Sequence, residues 1–549
     1  MPFLGSPAVS AVSRVGSSGG ATASRRAAAA APAREWRHEA HFPTLSRHTM
    51  AETRITPRAQ DYAQWYQDVI REAQLAEPAE VVKGCMVIRP HGYAIWEKMQ
   101  ADLDRRFKAT GHQNAYFPLL IPLSFLAKEA QHIQGFAMEC AVVTHAGLKT
   151  VDGKVTLKNE LEEPYVVRPT SETIIGHFFS KWIDSWRDLP LLLNQWANVM
   201  RWELRTRLFL RTGEFLWQEG HTAHATHEES LVEVRRMLDV YRDFSHQIVA
   251  MPVLQGVKTA NERFAGAVET YCIEAMMQDG KALQAGTSHD LGQNFGKAFN
   301  VMFQADTGQR EYVWQTSWGM TTRMVGAMVM THGDDDGVVI PPKLAPIHVV
   351  IVPIWKNDAE KTRVLETAAK IAADLRDDGL AVKLDDREGI KPGAKYYEWE
   401  RKGVPLRMEI GPRDVDAGSV MTKRRVAAVG PDGKPKKDVL KMDGLGVAVG
   451  KSLDELQAHL FERANAFREA NSVSVDGWQQ FEEVFADQGS KFVWAHWDGT
   501  TETELAIKEA TKATIRLIPL AGQSPDPEKG RCVKTGKPSA QRVLFAKNY

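Results

Sequence analysis

Three short stretches set charged side chains among apolar neighbours, a costly arrangement unless a charged ligand or an internal partner compensates. In residues 168–172 (RPTSE), Thr170 and Glu172 lie two apart, so in a strand both face one side, where a hydroxyl and a carboxylate together suit a cation such as an α-amino group. Taken alone, the pentapeptide reads better as a surface turn around Pro169. In residues 199–221 (VMRWELRTRLFLRTGEFLWQEGH), Arg201 and Glu203 share one expected strand face. A loop with Arg205, Arg207 and Arg211 follows, and then Trp217, Glu219 and His221 share the face of a second strand. A fixed guanidinium suits a phosphate, and a carboxylate beside it can accept from an adenine amine. An Arg/Glu ladder on a solvated sheet is the alternative, but Trp202, Phe209, Phe215 and Trp217 argue for burial. In residues 317–326 (SWGMTTRMVG), Gly319 permits close backbone approach. Arg323 falls in the first turn of an apolar helix and needs an anion there, a buried carboxylate or a triphosphate.

A fourth pattern, His221, His224 and His227 at steps of three, is a poor metal site. On a helix such steps drift around the axis, and no H-x-x-x-H pair with a matching Glu is present. His224 and His227 read as polar residues at a helix start.

The elements that must position these residues follow from hydrophobic periodicity. Residues 55–77 and 91–112 read as amphipathic helices, and residues 114–124 as an apolar strand interrupted by Pro118, which places it at an edge or interface. Strands are expected in 165–172, 191–204 and 212–224, then a long helix from Glu228, further strands, and a Met-rich helix after Arg323. Short strands among helices without β-α alternation indicate an α+β domain around a mixed, mostly antiparallel sheet over residues 51–341. From 346 to 460 strands and helices alternate strictly, which predicts a separate α/β domain, and residues 465–549 form a small C-terminal α+β domain.

With 549 residues the chain is too long for one core. Lys+Arg and Asp+Glu both number 69, so no global field draws in nucleic acid and any RNA contact must be local. Four scattered cysteines without C-x-x-C spacing fit a reducing compartment rather than a disulfide scaffold or thiolate zinc site. No apolar run approaches the roughly 18 residues of a membrane helix, so no membrane partner is expected. Residues 1–50 are rich in Ala, Ser, Gly and Arg, with Glu35 and Glu39 as their only acids, and read as a disordered organellar transit peptide; a plain disordered tail is the alternative.

Together and in this order, the motifs resemble the class II aminoacyl-tRNA synthetases. RPTSE, FLRTGEFLWQEGHTAH, KTANERFAGA, LQAGTSHDLGQNF and GCMVIRPHGYAIWEKMQ resemble the prolyl-tRNA synthetases in particular, from Ile55 to Tyr549. The resemblance implies ATP-dependent ligation of L-proline to proline tRNA through a prolyl-adenylate, with Mg²⁺, and the leader points to a chloroplast, a mitochondrion or both. It implies that Thr170 and Glu172 hold the imino group, with Trp217, Glu219 and His221 on the floor of the site. Arg201 would meet the carboxylate and α-phosphate, Glu203 the adenine, and Arg211 and Arg323 the outer phosphates. Gln284, Thr287 and His289 would complete the proline and ribose pocket. It also implies a homodimer through the Pro118 strand, and gives the terminal Tyr549 a place near the site.

Two departures stand out. Only 62 residues separate His221 from Gln284, too few for the editing insertion some relatives carry there. The tail has a single cysteine, Cys532, so no zinc is expected. In the 346–460 domain, which resembles an anticodon-binding module, Lys391, Lys395, Arg401, Lys402 and residues 423–425 (KRR) are the candidate RNA face. A threonyl or seryl enzyme, or a non-catalytic RNA-binding relative, are the rival readings.

Overall fold

The computed structural model describes residues 55–126, 140–203, 205–430, 433–486, 490–525 and 528–549. The expected transit peptide lies outside them. One sheet of eleven strands carries the site. From one edge it runs Ser472–Val475, Phe492–His496, Arg542–Ala546, Thr514–Pro519, Val253–Val257, Glu269–Met276, Ala282–Gly292, Trp314–Thr321, Glu214–His224, Leu191–Met200 and Gln113–Asn114. Only the outermost pair at each edge is parallel.

The centre of the sheet owes its two faces to alternation. Along Glu214–His224, Trp217, Glu219 and His221 line a cavity, while Gln218 on the opposite face donates to the Tyr241 hydroxyl. Gly220, also on that face, lies under Trp318; a Cβ there would stand 1.9 Å from the indole, so only glycine lets the ring lie against the strand. Trp318 packs in turn on Phe107, ring centres 4.9 Å apart. Phe107 belongs to the helix Pro90–Ala109, whose Ile95, Met99 and Leu103 are fully buried at four-residue steps. Burying each such side chain is worth about 1.5–3 kcal/mol. Helix His227–Gln247 covers the same face. It opens on a reciprocal Thr226/Glu229 capping box, with Glu228 and Glu229 favourable in its first turn.

The second sheet places Val349–Pro353, Val382–Leu384 and Leu406–Ile410 in parallel, as β-α-β alternation requires, and then adds Ser419–Arg424 and Asp438–Lys441 antiparallel. Helix Leu445–Ala470 runs through the expected boundary at 460. The C-terminal strands do not form a sheet of their own. Ile518 pairs with Val257 and Pro519 with Gly256, which fuses them to the central sheet; a Cβ on Gly256 would meet the Ile518 carbonyl at 2.5 Å.

Several local expectations need correction. The first helix spans only Tyr62–Glu72, because Asp61 accepts from the amides of Ala63 and Gln64 and so fixes its start. The apolar stretch around Pro118 is split into Gln113–Asn114 and Leu120–Pro122, since the proline cannot donate to a ladder. RPTSE is not a strand: the ladder ends at Val167 and Glu172 opens the helix Glu172–Trp182. Arg201 and Glu203 likewise lie beyond the strand end at Met200.

The candidate RNA face also changes. Lys395 is buried with Nζ donating to the Asp385 carbonyl, and the buried Arg425 pairs with Asp334. Lys423 donates to Glu400 at 2.7 Å and Lys402 to Glu398 at 3.0 Å, while Arg401 faces Glu72 at 3.6 Å. These cations serve internal pairs; of the set, Lys391 stands exposed.

Candidate active site

A cavity of about 410 Å³ opens on the central sheet, within the usual size of a small-molecule site. The twelve residues assigned to the substrates line it, Thr170, Glu172, Arg201, Glu203, Arg211, Trp217, Glu219, His221, Gln284, Thr287, His289 and Arg323, whereas Tyr549 lies outside the lining with its hydroxyl on Asp279.

Strand register explains much of this convergence. Gln195, Glu219, Gly319 and Thr287 are neighbours in one row across four strands, and Leu193, His221, Ser317 and His289 form the next row on the same face. Gly319, with no side chain, leaves the centre of the first row open. Gln284 reaches the cavity only because of a β-bulge: Glu274 pairs with Gln284 and Ile273 with Gly286, leaving Ala285 as the extra residue. Three positions apart, Gln284 and Thr287 would otherwise face opposite sides.

The RPTSE loop is pinned from below. Arg168 is fully buried and donates to the Phe117 and Asn198 carbonyls at 2.8 Å each. Glu172, at the first turn of its helix, accepts from the Thr170 hydroxyl. Ser171 sits at the N-cap position but spends its hydroxyl on Glu219 Oε1, at 2.5 Å.

Glu219 is the best-supported charge in the site. It accepts from Ser171 and from Gln195 Nε2 (2.7 Å), and its Oε2 lies 3.0 Å from His221 Nε2. Burial would push its carboxyl up, but hydrogen bonds from His221, Ser171 and Gln195 together with the His221 charge hold it below the usual carboxylate range. Burial likewise opposes a charged His221, yet Glu219 and the Glu172 charge raise its pKa. His289 is neutral: burial and then the His221 charge push it down to about 3, and its Nδ1 lies 3.0 Å from the Thr270 hydroxyl.

The arginines contrast with this. Arg201 donates to the Pro169 carbonyl at 3.0 Å and lies over the rings of Phe215 and Trp217, at 5.4 and 5.7 Å. Arg323, at the start of helix Arg323–His332, donates to the Leu210 carbonyl at 3.2 Å and the Gln284 carbonyl at 3.4 Å. Among the described residues neither has a carboxylate within 4.0 Å. Burial and the charges of Arg201 and Arg211 push the Arg323 guanidinium down to about 10. A site that crowds three guanidiniums, two of them without a carboxylate partner among the described residues, is built for an anion. Arg211 does pair with Glu203, at 3.3 Å on the cavity rim.

Sequence reasoning missed Ser171 and Gln195, which hold Glu219, and Glu262, Phe264 and Ser317, which line the cavity. The available signal was the polar pair Asn194 and Gln195 within a largely apolar run. His224 and His227 stay apart from the site: His224 bonds Thr222, and His227 pairs with Asp290 at 2.8 Å. Among the described residues no cluster of three His, Cys, Asp or Glu side chains could hold a metal ion.

Comparison with known proteins agrees with this arrangement. Residues 154–332 match the tRNA synthetase class II core domain (G, H, P, S and T), residues 348–445 the anticodon binding domain, and residues 478–549 the prolyl-tRNA synthetase C-terminal domain. The fold is that of a class II aminoacyl-tRNA synthetase. Proline–tRNA ligases from Parabacteroides distasonis and Chlorobium chlorochromatii are each 56% identical to the chain, over 90% of its length and 99% of theirs. The crystal structure of prolyl-tRNA synthetase from Cryptosporidium parvum, complexed with halofuginone and AMPPNP, superposes with a TM-score of 0.82 at 37% identity, covering 90% of this chain and 99% of that one. The chain belongs to the proline–tRNA ligases.

Proposed function

We propose that the cavity joins L-proline to ATP as prolyl-adenylate and then passes the prolyl group to proline tRNA. The observation that carries this reading is the pair of arginines without carboxylate partners, Arg201 and Arg323, in one cavity with the carboxylates of Glu172 and Glu219. The carboxylates suit an imino cation and the guanidiniums a carboxylate and a polyphosphate. The AMPPNP of the Cryptosporidium parvum structure, an ATP analogue, supports the nucleotide half.

In this reading Thr170 and Glu172 hold the proline nitrogen over a floor of Trp217, Glu219 and His221. Arg201 orients the carboxylate against the α-phosphorus. One carboxylate oxygen attacks that phosphorus in line, the bond to the bridging oxygen of the β-phosphate breaks, and pyrophosphate leaves past Arg211 and Arg323. Glu203 accepts from the adenine amine, and Gln284 and Thr287 serve the ribose side. The terminal ribose hydroxyl of the tRNA then attacks the prolyl carbonyl and AMP leaves. No protein nucleophile is needed; positioning and charge stabilisation lower the barrier. Mg²⁺, when bound, neutralises phosphate charge. With no ready-made cluster of ligands among the described residues, it would arrive with the triphosphate.

The 348–445 domain is the natural partner for the proline anticodon, and the Pro118 segment for a second copy of the chain. The Arg-rich, acid-poor leader supports import into a plastid or mitochondrion, to serve translation there. Amino-acid-dependent ATP–pyrophosphate exchange tests the core of the reading. Exchange driven by proline, and not by threonine, serine or histidine, is expected; stimulation by one of those instead would overturn it.

A further inference from the structure

Part of the cavity wall is held from outside the catalytic domain. Residues 258–268 (KTANERFAGAV) leave the strand Val253–Val257, pass over the cavity and return into Glu269–Met276. Glu262 and Phe264 of this segment line the cavity. The Phe264 ring packs on His289 with centres 4.6 Å apart, and its amide donates to Thr270 Oγ1, the same hydroxyl that meets His289. His289 and His221 flank Ser317 in one register row, so Phe264 closes the end of the cavity assigned above to proline.

The near end of this segment is gripped by the C-terminal region. Lys258 Nζ, buried, donates to Glu274 at 2.7 Å and to the carbonyl of Arg516 at 2.8 Å, while Arg516 itself donates to Glu274 at 2.8 Å. Thr259 donates its hydroxyl to Glu504 Oε1 at 2.8 Å, and Lys508, one turn further along the helix Thr501–Thr511, lies 3.6 Å from Glu262. Glu504 is buried, and its Oε2 has no hydrogen-bond partner among the described residues. An apolar side chain would fill that place at lower desolvation cost. What the carboxylate adds is its bond to Thr259, at the point where the chain turns from the sheet towards the cavity.

We infer that the C-terminal helix clamps the wall of the amino-acid pocket. Glu504 and Lys508 act as positioning residues: through Thr259 and Glu262 they hold Phe264 against His289 and thereby set the affinity for proline without touching it. The inference rests on the assignment of that end of the cavity to proline.

The test is proline-dependent ATP–pyrophosphate exchange by the full chain. Exchange by the parent protein is read first and concerns the cavity assignment alone; the ratio of the two substrates' KM values in the variants concerns the clamp alone. Glu504→Ala is expected to raise KM for proline about tenfold, the scale of one hydrogen bond to a charged group, while KM for ATP stays within about twofold. Glu504→Gln, which keeps an acceptor for the Thr259 hydroxyl, is expected to restore the parent ratio. Lys508→Ala alters a half-exposed side chain that the fold does not need, so it keeps the test open if Glu504→Ala fails to fold, and it should raise KM for proline in the same direction. Equal rises for both substrates, no rise with either alanine variant, or no rescue by Glu504→Gln would overturn the clamp.

Discussion

Glu219 and His221, two residues apart on one strand, face the same cavity and join through Oε2 and Nε2 at 3.0 Å. Each holds the other charged against burial, which alone would neutralise both. In Glu219→Gln the opposing charge is gone and burial dominates, so the His221 pKa is expected to fall below its ordinary 6.5. The sign for stability follows. The raised His221 pKa stabilises the fold below 6.5, and that contribution fades as pH rises through the folded value. The lowered Glu219 pKa contributes above 4.5, and its share is lost as pH falls through the folded value. NMR titration of the imidazole checks this; an unchanged His221 pKa in Glu219→Gln contradicts it.

The bulge at Ala285 gives a backbone prediction. Deleting Ala285 removes the extra residue and restores regular pairing, so Gln284 and Thr287, then two positions apart, keep the same face. KM for ATP should stay within about twofold in the deletion variant, whereas Gln284→Ala should raise it by about tenfold, the scale of one lost polar contact. A folded deletion variant whose KM for ATP rises as far as that of Gln284→Ala would contradict the placement of Gln284.

How much of this was legible in the sequence differs by residue. Trp217, Glu219 and His221 were readable because they alternate within one uninterrupted strand, where period two fixes the face. Thr170 and Glu172 were rightly paired for a wrong reason: a loop and a helix start bring them together, since Pro169 cannot donate to a ladder. Gln284 was named from a resemblance, and no periodicity could have placed it, because a bulge breaks the alternation that such reasoning uses. The burial of Lys395 and Arg425, two of the candidate RNA-face cations, was not legible because a local charge pattern says nothing about partners distant in sequence, such as Asp334 for Arg425. The fusion of the C-terminal strands to the catalytic sheet was invisible for the same reason: Ile518 and Val257 pair across the whole anticodon-binding region.

The buried cluster of Lys258, Glu274 and Arg516 binds those regions together. Arg516→Met leaves Glu274 with only Lys258 to offset its charge, and should destabilise the fold by about 3–5 kcal/mol. Urea denaturation measures it, and a loss below about 1 kcal/mol, typical of an exposed pair, would contradict the burial of this network.

Residues 225–281 are consumed by helix His227–Gln247, the strands Val253–Val257 and Glu269–Met276, and the segment joining them, leaving no inserted domain. A pocket shaped for proline rejects the smaller alanine only by about 10–200-fold. Measurable alanine activation is therefore expected, with alanyl-tRNA made on proline tRNA persisting in the presence of this protein. Rapid hydrolysis by the purified chain would contradict that.

The central claim is that unpaired guanidiniums and buried carboxylates in one cavity bind proline and ATP together. Proline-dependent ATP–pyrophosphate exchange by Arg201→Ala tests it most directly, because Arg201 has no carboxylate partner among the described residues to leave stranded and its loss should spare the fold. The account predicts exchange reduced by at least about a hundredfold, the scale of losing one preorganised charge-stabilising donor, with thermal unfolding unchanged. Near-normal exchange by a folded Arg201→Ala protein would contradict it.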